Sequence, residues 1–324
     1  MKDTMEIKMN IVDFTAAHVG PATRIALRNY DEERARVPTL PPIERVPDLS
    51  PYAENGLGVA AYINDEMIGF LCSEPPFQNA FRSTDAVGVF SPMGANGAIG
   101  EKRAEVFARM YQAAGEKWAR AGASSHAVCL YAHDKQVQEQ FFRYGFGLRC
   151  LDAIRALDNV DSPSCDGLTF HEVSGNKDAL EVLPLENMLH SSYLKSPFFV
   201  SRAKLDETTW MEYWNGCHPL CFSAKRSGRN VAFILAEQDG ENFIRDTAGY
   251  LHITGMYCQP EYRGKGVSLK LLRLLTEKMK AGGFTRLGVD FESINPSGYG
   301  FWIKHFTVYT HSVVRRIDEH AVRR

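Results

Sequence analysis

The stretch GYLHITGMYCQPEYRGKGVSLKLLRLL, Gly249 to Leu275, decides how this chain is read. Its first part, Leu251 to Cys258, is an apolar run that fits a strand, and Pro260 ends it. Arg263-Gly264-Lys265-Gly266-Val267 follows, and then a helical pattern with Leu269, Leu272, Leu275 and Met279 on one side. A glycine-rich turn that opens a helix gathers several backbone N–H groups at one point, and the helix dipole adds partial positive charge there. Gly264 and Gly266 carry no side chain, so a phosphate can come close to the backbone. Arg263 and Lys265 add cationic charge. The pattern suits a diphosphate, but it has neither the G-x-x-x-x-G-K-[ST] spacing nor G-x-G-x-x-G. From these residues alone, an ordinary strand-to-helix turn that uses glycine for its geometry reads equally well.

Working outward, the region repeats. A shift of 161 positions carries Gly122 onto Gly283 and Asp134 onto Asn295. It also lays HAVCL (His126 to Leu130) under LGVDF (Leu287 to Phe291), and Phe141 under Trp302. The preceding helix has a counterpart in Val106, Met110, Ala113, Ala114 and Trp118. Upstream, GVAAYINDEMIGFLCSE and CFSAKRSGRNVAFILAE each read as strand, turn, strand, with turns at Asn64-Asp65 and Ser227-Gly228. MEIKMNIVDF and LTFHEV are expected opening strands, each followed by helical stretches. DNVDSPSCDG, Asp158 to Gly167, is the expected linker. The expectation is a mixed α/β chain of two tandem domains, residues 1–157 and 168–324 around a linker at 158–167. Each would have a mixed central sheet with helices on both faces.

The chain has 324 residues and a formal net charge of -2, with acids and bases mixed. That excludes the basic stripe of a nucleic-acid binder; Arg315, Arg316, Arg323 and Arg324 read as a solvated tail. No apolar run is long enough to span a bilayer. The seven cysteines follow no framework spacing and the start has no apolar signal core, so a cytoplasmic protein with reduced thiols is expected. Cys217, His218 and Cys221 offer at most three ligands and no second cluster; no metal is expected.

The Gly249 to Leu275 stretch resembles the GNAT acetyltransferase superfamily, whose central motif is a strand, P-x-[YF]-R-G-x-G and a helix. Here it stands as Pro260-Glu261-Tyr262-Arg263-Gly264-Lys265-Gly266, and the next motif as LGVDFESINPSGYGFWIKHF. The resemblance covers the C-terminal half well and, through the repeat, the N-terminal half more weakly. It implies an N-acetyltransferase using acetyl-CoA as cosubstrate, acting on a small-molecule or peptide amine by direct attack. It implies that the backbone N–H groups of Arg263, Gly264, Lys265, Gly266, Val267 and Ser268 bind the CoA diphosphate. The strand around Met256 and Cys258, splayed by a bulge, would pair with the pantetheine arm and polarise the thioester carbonyl, and Asn295 would hydrogen-bond that arm. The Cys258 side chain is read as incidental.

The family's usual acid, a tyrosine, falls on Trp302, whose indole is no acid. Tyr299, four residues after Asn295, is the expected substitute, and Glu292 or His252 the expected base. In the N-terminal copy SPMGANGAIGEKRAEVF has no counterpart of Arg263, its approach to the helix reads about seven residues longer, and Asp134 replaces Asn295. That copy is expected to be degenerate for CoA. The Pro-rich segment Arg36 to Gly56 is either a wall of the substrate cleft or a surface loop. A non-catalytic acyl-CoA sensor or scaffold is the alternative function, and a homodimer is left open.

Overall fold

A computed structural model of the chain describes residues 9–82 and 86–322. The start of the first expected strand, Met5 to Lys8, and the tail residues Arg323 and Arg324 lie outside the described residues. Packing divides the chain into two units. Unit 1 takes residues up to Leu151 and from Val308 onward, and unit 2 takes Asp152–Thr307.

Unit 1 contains β1 (Met9–Asp13), α1 (Ala16–Arg34), α2 (Ser50–Glu54), β2 (Val59–Ile63), β3 (Glu66–Leu71), β4 (Gly88–Ser91), β5 (Asn96–Ala98), α3 (Arg103–Arg120), β6 (Ser125–Tyr131), α4 (Lys135–Arg143) and the first half of β7 (Gly147–Ala156). Unit 2 contains β8 (Thr169–Glu172), α5 (Gly175–Ser192), α6 (Glu207–Cys217), β9 (Leu220–Arg226), β10 (Arg229–Glu237), β11 (Tyr250–Cys258), α7 (Val267–Ala281), β12 (Arg286–Glu292) and α8 (Pro296–His305). The chain ends with β13 (Thr307–Val308), β14 (Thr310–Arg316) and α9 (Glu319–Val322).

In unit 1 the strands run β1-β2-β3-β5 in one sheet and β4-β6-β14-β7 in another. The expected boundary at 158–167 is therefore not the one the packing makes. The linker residues belong to unit 2, and the C-terminal strand β14 belongs to unit 1. The reason is pairing. β14 is antiparallel to β6 along its whole length, from Thr310↔Tyr131 to Arg316↔Ser125, and Val313 is fully buried in the unit 1 core with Val128, Leu130 and Phe141. A period-2 pattern identifies a strand but does not name its partner.

In unit 2 the order is β12-β11-β10-β9-β8. Phe233 and Leu235 of β10 pack with Val182, Leu185, Trp210 and Trp214 of α5 and α6. Helix α7 packs on β9 and β10, and its buried Leu271, Leu272, Leu275 and Met279 are no part of that cluster, so it covers the opposite face. The 161-residue shift carries β6 onto β12 end to end, and the N-cap Asp134 of α4 onto Asn295 of α8. Helix α6 was not anticipated as a separate element; Asp206 starts it by accepting from Thr209 N at 2.7 Å.

Two expectations on unit 1 change. The extra residues before α3 are not an inserted loop: Asn96–Ala98 forms β5, so the counterpart of β11 is a strand broken in two, with β4 paired to β6 and β5 to β3. The Arg36 to Gly56 segment is more than a surface loop, because Val37, Leu40, Val46 and Leu49 are buried and Tyr30 donates to Pro41 O at 2.6 Å. Among the described residues no helix is long and apolar enough to cross a membrane.

Candidate functional site

The site grows from a fault in the unit 2 sheet. β11 pairs with β12 in parallel only from Tyr250↔Arg286 to Ile253↔Val289, and beyond that the two strands part. At the same point the β10–β11 register shifts between Leu235↔Gly255 and Ala236↔Ile253, leaving Thr254 as the extra residue of a bulge. Thr254 Oγ1 donates to Glu237 Oε1 at 2.7 Å, and Tyr213 of α6 donates to the same oxygen at 2.6 Å. The bulge is thus pinned by side chains from two elements. It lies two residues before Met256, earlier than expected, and from there Gly255 to Cys258 have no strand partner on the β12 side among the described residues.

At the end of β11 the chain turns through Pro260–Tyr262 and reaches Gly264 with φ of 70° and Gly266 with φ of 79°, a left-handed conformation that glycine takes without strain. Arg263 N donates to Pro260 O, and the first helical donor is Lys270 N to Gly266 O. Between them, the N–H groups of Gly264 through Leu269 find no backbone acceptor among the described residues. Of the N–H groups expected to face a diphosphate, that of Arg263 is engaged with Pro260 O, and that of Leu269 is open beside the others. The Arg263 side chain turns back, with Nε donating to Cys258 O at 2.8 Å and its guanidinium 5.5 Å from the Tyr257 ring, so it braces the turn against the strand. The linker touches the turn: a Cβ on Gly266 would overlap Pro163, and Cys165 Sγ lies 3.7 Å from Lys265 O.

Across the gap Asn295 caps α8, its Oδ1 accepting from Gly298 N at 3.2 Å and from Ser297 Oγ at 3.0 Å. Its Nδ2 has no acceptor among the described residues. The space these parts enclose is a cavity of about 940 Å³. Met256, Cys258, Arg263, Gly264, Gly266, Val267, Ser268 and Asn295 line it, whereas Lys265 does not. Burial pushes the Cys258 thiol up to about 11, which keeps it protonated and suits an incidental side chain.

The proposed acid and bases lie elsewhere. Tyr299 is half-buried edge-on to Phe291, with ring centres 5.9 Å apart, and it does not line the cavity; neither does Glu292. His252 is 1 % exposed and held between Tyr250 OH at 2.7 Å and Asp290 Oδ1 at 2.8 Å. Burial would lower its pKa, but the bond and charge of Asp290 raise it overall. Trp302 does line the cavity, as does Tyr262 of the motif, along with residues the sequence does not single out: Tyr193, Lys195, Phe198, Tyr257 and His305. Ser297, Phe301 and His305 recur every fourth residue of α8 and all reach the cavity, a spacing that could have marked that face.

Unit 1 carries the same slot, filled. Applying the 161-residue shift, Asn96, Gly97, Arg103, Phe107 and Asp134 take the places of Tyr257, Cys258, Gly264, Ser268 and Asn295, and they enclose only about 10 Å³. Asn29 satisfies both backbone groups of Ala98 on β5, at 3.0 Å each. Arg103 pairs with Glu32 and reaches Asp134 at 3.6 Å, while Glu33 accepts from His133 N at 3.0 Å.

Residues 186–305 match the profile of the acetyltransferase (GNAT) family. Among solved structures, a GCN5-related N-acetyltransferase from Sphaerobacter thermophilus aligns over 95% of this chain and 95% of its own, with 12% identity and a TM-score of 0.56. The glucosamine N-acetyltransferase region of a fungal multi-domain GH3 β-N-acetylglucosaminidase aligns over 95% of this chain and 38% of that chain, with 11% identity and a TM-score of 0.52. At such identities the likeness shows the fold alone. No curated protein matches the chain by sequence. Residues 186–305 are therefore similar to the acetyltransferase (GNAT) family, and the chain shares the fold of the Sphaerobacter structure along nearly its whole length.

Proposed function

We propose that the chain is an N-acetyltransferase that moves an acetyl group from acetyl-CoA to a primary amine, using the unit 2 cavity alone. The observation that carries this reading is the continuity of that cavity, from the unpaired edge of β11 to the open N–H groups at the start of α7. The N–H groups of Gly264 through Leu269 hold the diphosphate, where the α7 dipole favours negative charge. The free edge at Met256 and Cys258 offers backbone groups to the pantetheine amides and to the thioester oxygen. Asn295 Nδ2 is a further donor, oriented because its Oδ1 is fixed by the helix cap. Transfer is direct: the amine attacks the carbonyl carbon, the C–N bond forms, and the C–S bond breaks with its electron pair leaving on sulfur. Unit 1 binds no CoA, since Asn29 and Arg103 occupy the equivalent slot.

Calorimetry with acetyl-CoA tests this. The expected result is micromolar binding at one site per chain, abolished by the double substitution Arg263→Glu, Gly264→Glu. A wild-type protein that takes up no acetyl-CoA would refute the proposal. Trp302 at the cavity wall, with Tyr299 outside it, favours a second reading, an acyl-CoA sensor without turnover. CoA release in the presence of an amine excludes that reading.

A further inference from the structure

An amine must be neutral to attack a thioester, so some group has to take its proton. Neither Glu292 nor His252, the groups expected for that task, lines the cavity, and among the described residues no aspartate or glutamate does. Its polar and charged side chains include Lys195, Arg263, Lys304, the phenols of Tyr193, Tyr257 and Tyr262, the Cys258 thiol, and one imidazole, His305. The Cys258 thiol, pushed up to about 11, is protonated at neutral pH, and imidazole is the side chain best matched to general-base work there.

The chain has ten histidines. Seven have a ring nitrogen on a protein partner. Of the other three, His218 and His320 are exposed and do not line the cavity. His305 has neither ring nitrogen bonded among the described residues; only its ring is engaged, with its centre 4.8 Å from that of Phe301. A half-buried imidazole with both nitrogens open, on the wall shared with Asn295 and Cys258, is placed to meet a ligand.

We propose that His305 is the catalytic base that takes the proton of the acceptor amine, an inference that rests on the acetyltransferase reading above. The ring nitrogen accepts the proton as the C–N bond forms and can return it to the departing thiolate, so amine and thioester become amide and thiol with no further reactant. The surroundings keep this base available. Burial first, then the positive charges of Arg155 and Lys304, hold its pKa below the ordinary 6.5. Arg155 lies with its guanidinium 5.7 Å from the neighbouring Phe306 ring. Lys195 and Arg263 add further positive charge on the cavity wall, and no carboxylate there opposes it.

The test compares wild type with His305→Gln and His305→Ala. Acetyl-CoA binding is measured by calorimetry, and CoA release with 2-phenylethylamine as the probe amine is followed across pH 5 to 9. The expected result is unchanged thermal stability and acetyl-CoA affinity, a fall in kcat of about 100-fold with little change in KM, and loss of the acidic limb of the pH profile. Substituted proteins that keep the wild-type kcat and acidic limb overturn the inference. Should the wild type bind acetyl-CoA but leave this amine unreacted, modification by diethyl pyrocarbonate, mapped by mass spectrometry, decides. Protection of His305 by acetyl-CoA supports the inference, and unhindered modification overturns it. Absence of acetyl-CoA binding overturns the acetyltransferase reading itself, a different outcome from loss of kcat alone.

Discussion

Replacing Gly266 by alanine separates two demands made on one residue. Both Gly264 and Gly266 have left-handed backbones, and an alanine in that conformation costs roughly 1–2 kcal/mol. At Gly264 the added methyl would meet nothing within 4 Å, so strain is the whole effect. At Gly266 it would overlap Pro163 Cγ and lie 2.8 Å from Cδ, and relieving such overpacking costs about 1–3 kcal/mol more. The expected loss is about 1–2 kcal/mol for Gly264→Ala and about 2–5 kcal/mol for Gly266→Ala, read from urea unfolding midpoints. Pro163→Ala removes both crowding atoms and leaves Cβ at 3.6 Å, so it should restore Gly266→Ala to the level of Gly264→Ala. Acetyl-CoA affinity should follow, falling about tenfold or more in Gly266→Ala and recovering in the double variant. Equal stabilities of the two alanine variants, or no rescue by Pro163→Ala, would refute the packing of the linker on the turn and its role in shaping the proposed cofactor site.

Two further outcomes follow from groups away from the turn. His126 is buried against Tyr111 and Trp118, and burial first, then Arg315, depresses its pKa from 6.5 to about 4. Protons therefore bind the unfolded chain more readily. Stability is full above pH 6.5 and should fall by about 3 kcal/mol as pH drops toward 4. Hydrogen exchange of peptides spanning Ser125–Tyr131, corrected for intrinsic rates, measures this, and a flat profile would contradict the assignment. Thr254→Val keeps the shape but removes one bond to the buried Glu237. It should cost about 1–3 kcal/mol in urea unfolding and slow acetyl transfer, because the strands no longer part at a fixed point.

The glycine turn and its helix were legible because they are local. Pro260, Gly264 and Gly266 each act through their own backbone, and Asn295 caps the helix it begins, so spacing alone conveys both. The repeat was legible too, down to the register of β6 and β12. What stayed hidden depends on partners distant in sequence. β14 takes in Arg315 and Arg316, which read as a solvated tail, and nothing in its residues names β6 as the partner. The bulge sits at Thr254 because Glu237 and Tyr213 reach it, and neither is near it in the chain. Tyr299 fell outside the cavity because counting four residues from Asn295 fixes a helix face without saying what that face meets. His305 lay within reach of the same count, taken from Ser297 instead.

Strand β14 also bears on how the protein is made. It lies between β6 and β7 in unit 1, yet it is synthesised only after the whole of unit 2. During translation unit 1 waits, its sheet missing an inner strand, while the whole of unit 2 is threaded out behind it. The first half of the chain therefore cannot finish folding ahead of the second, and a ribosome that stops short of Thr310 releases two exposed strand edges in place of a finished half-protein.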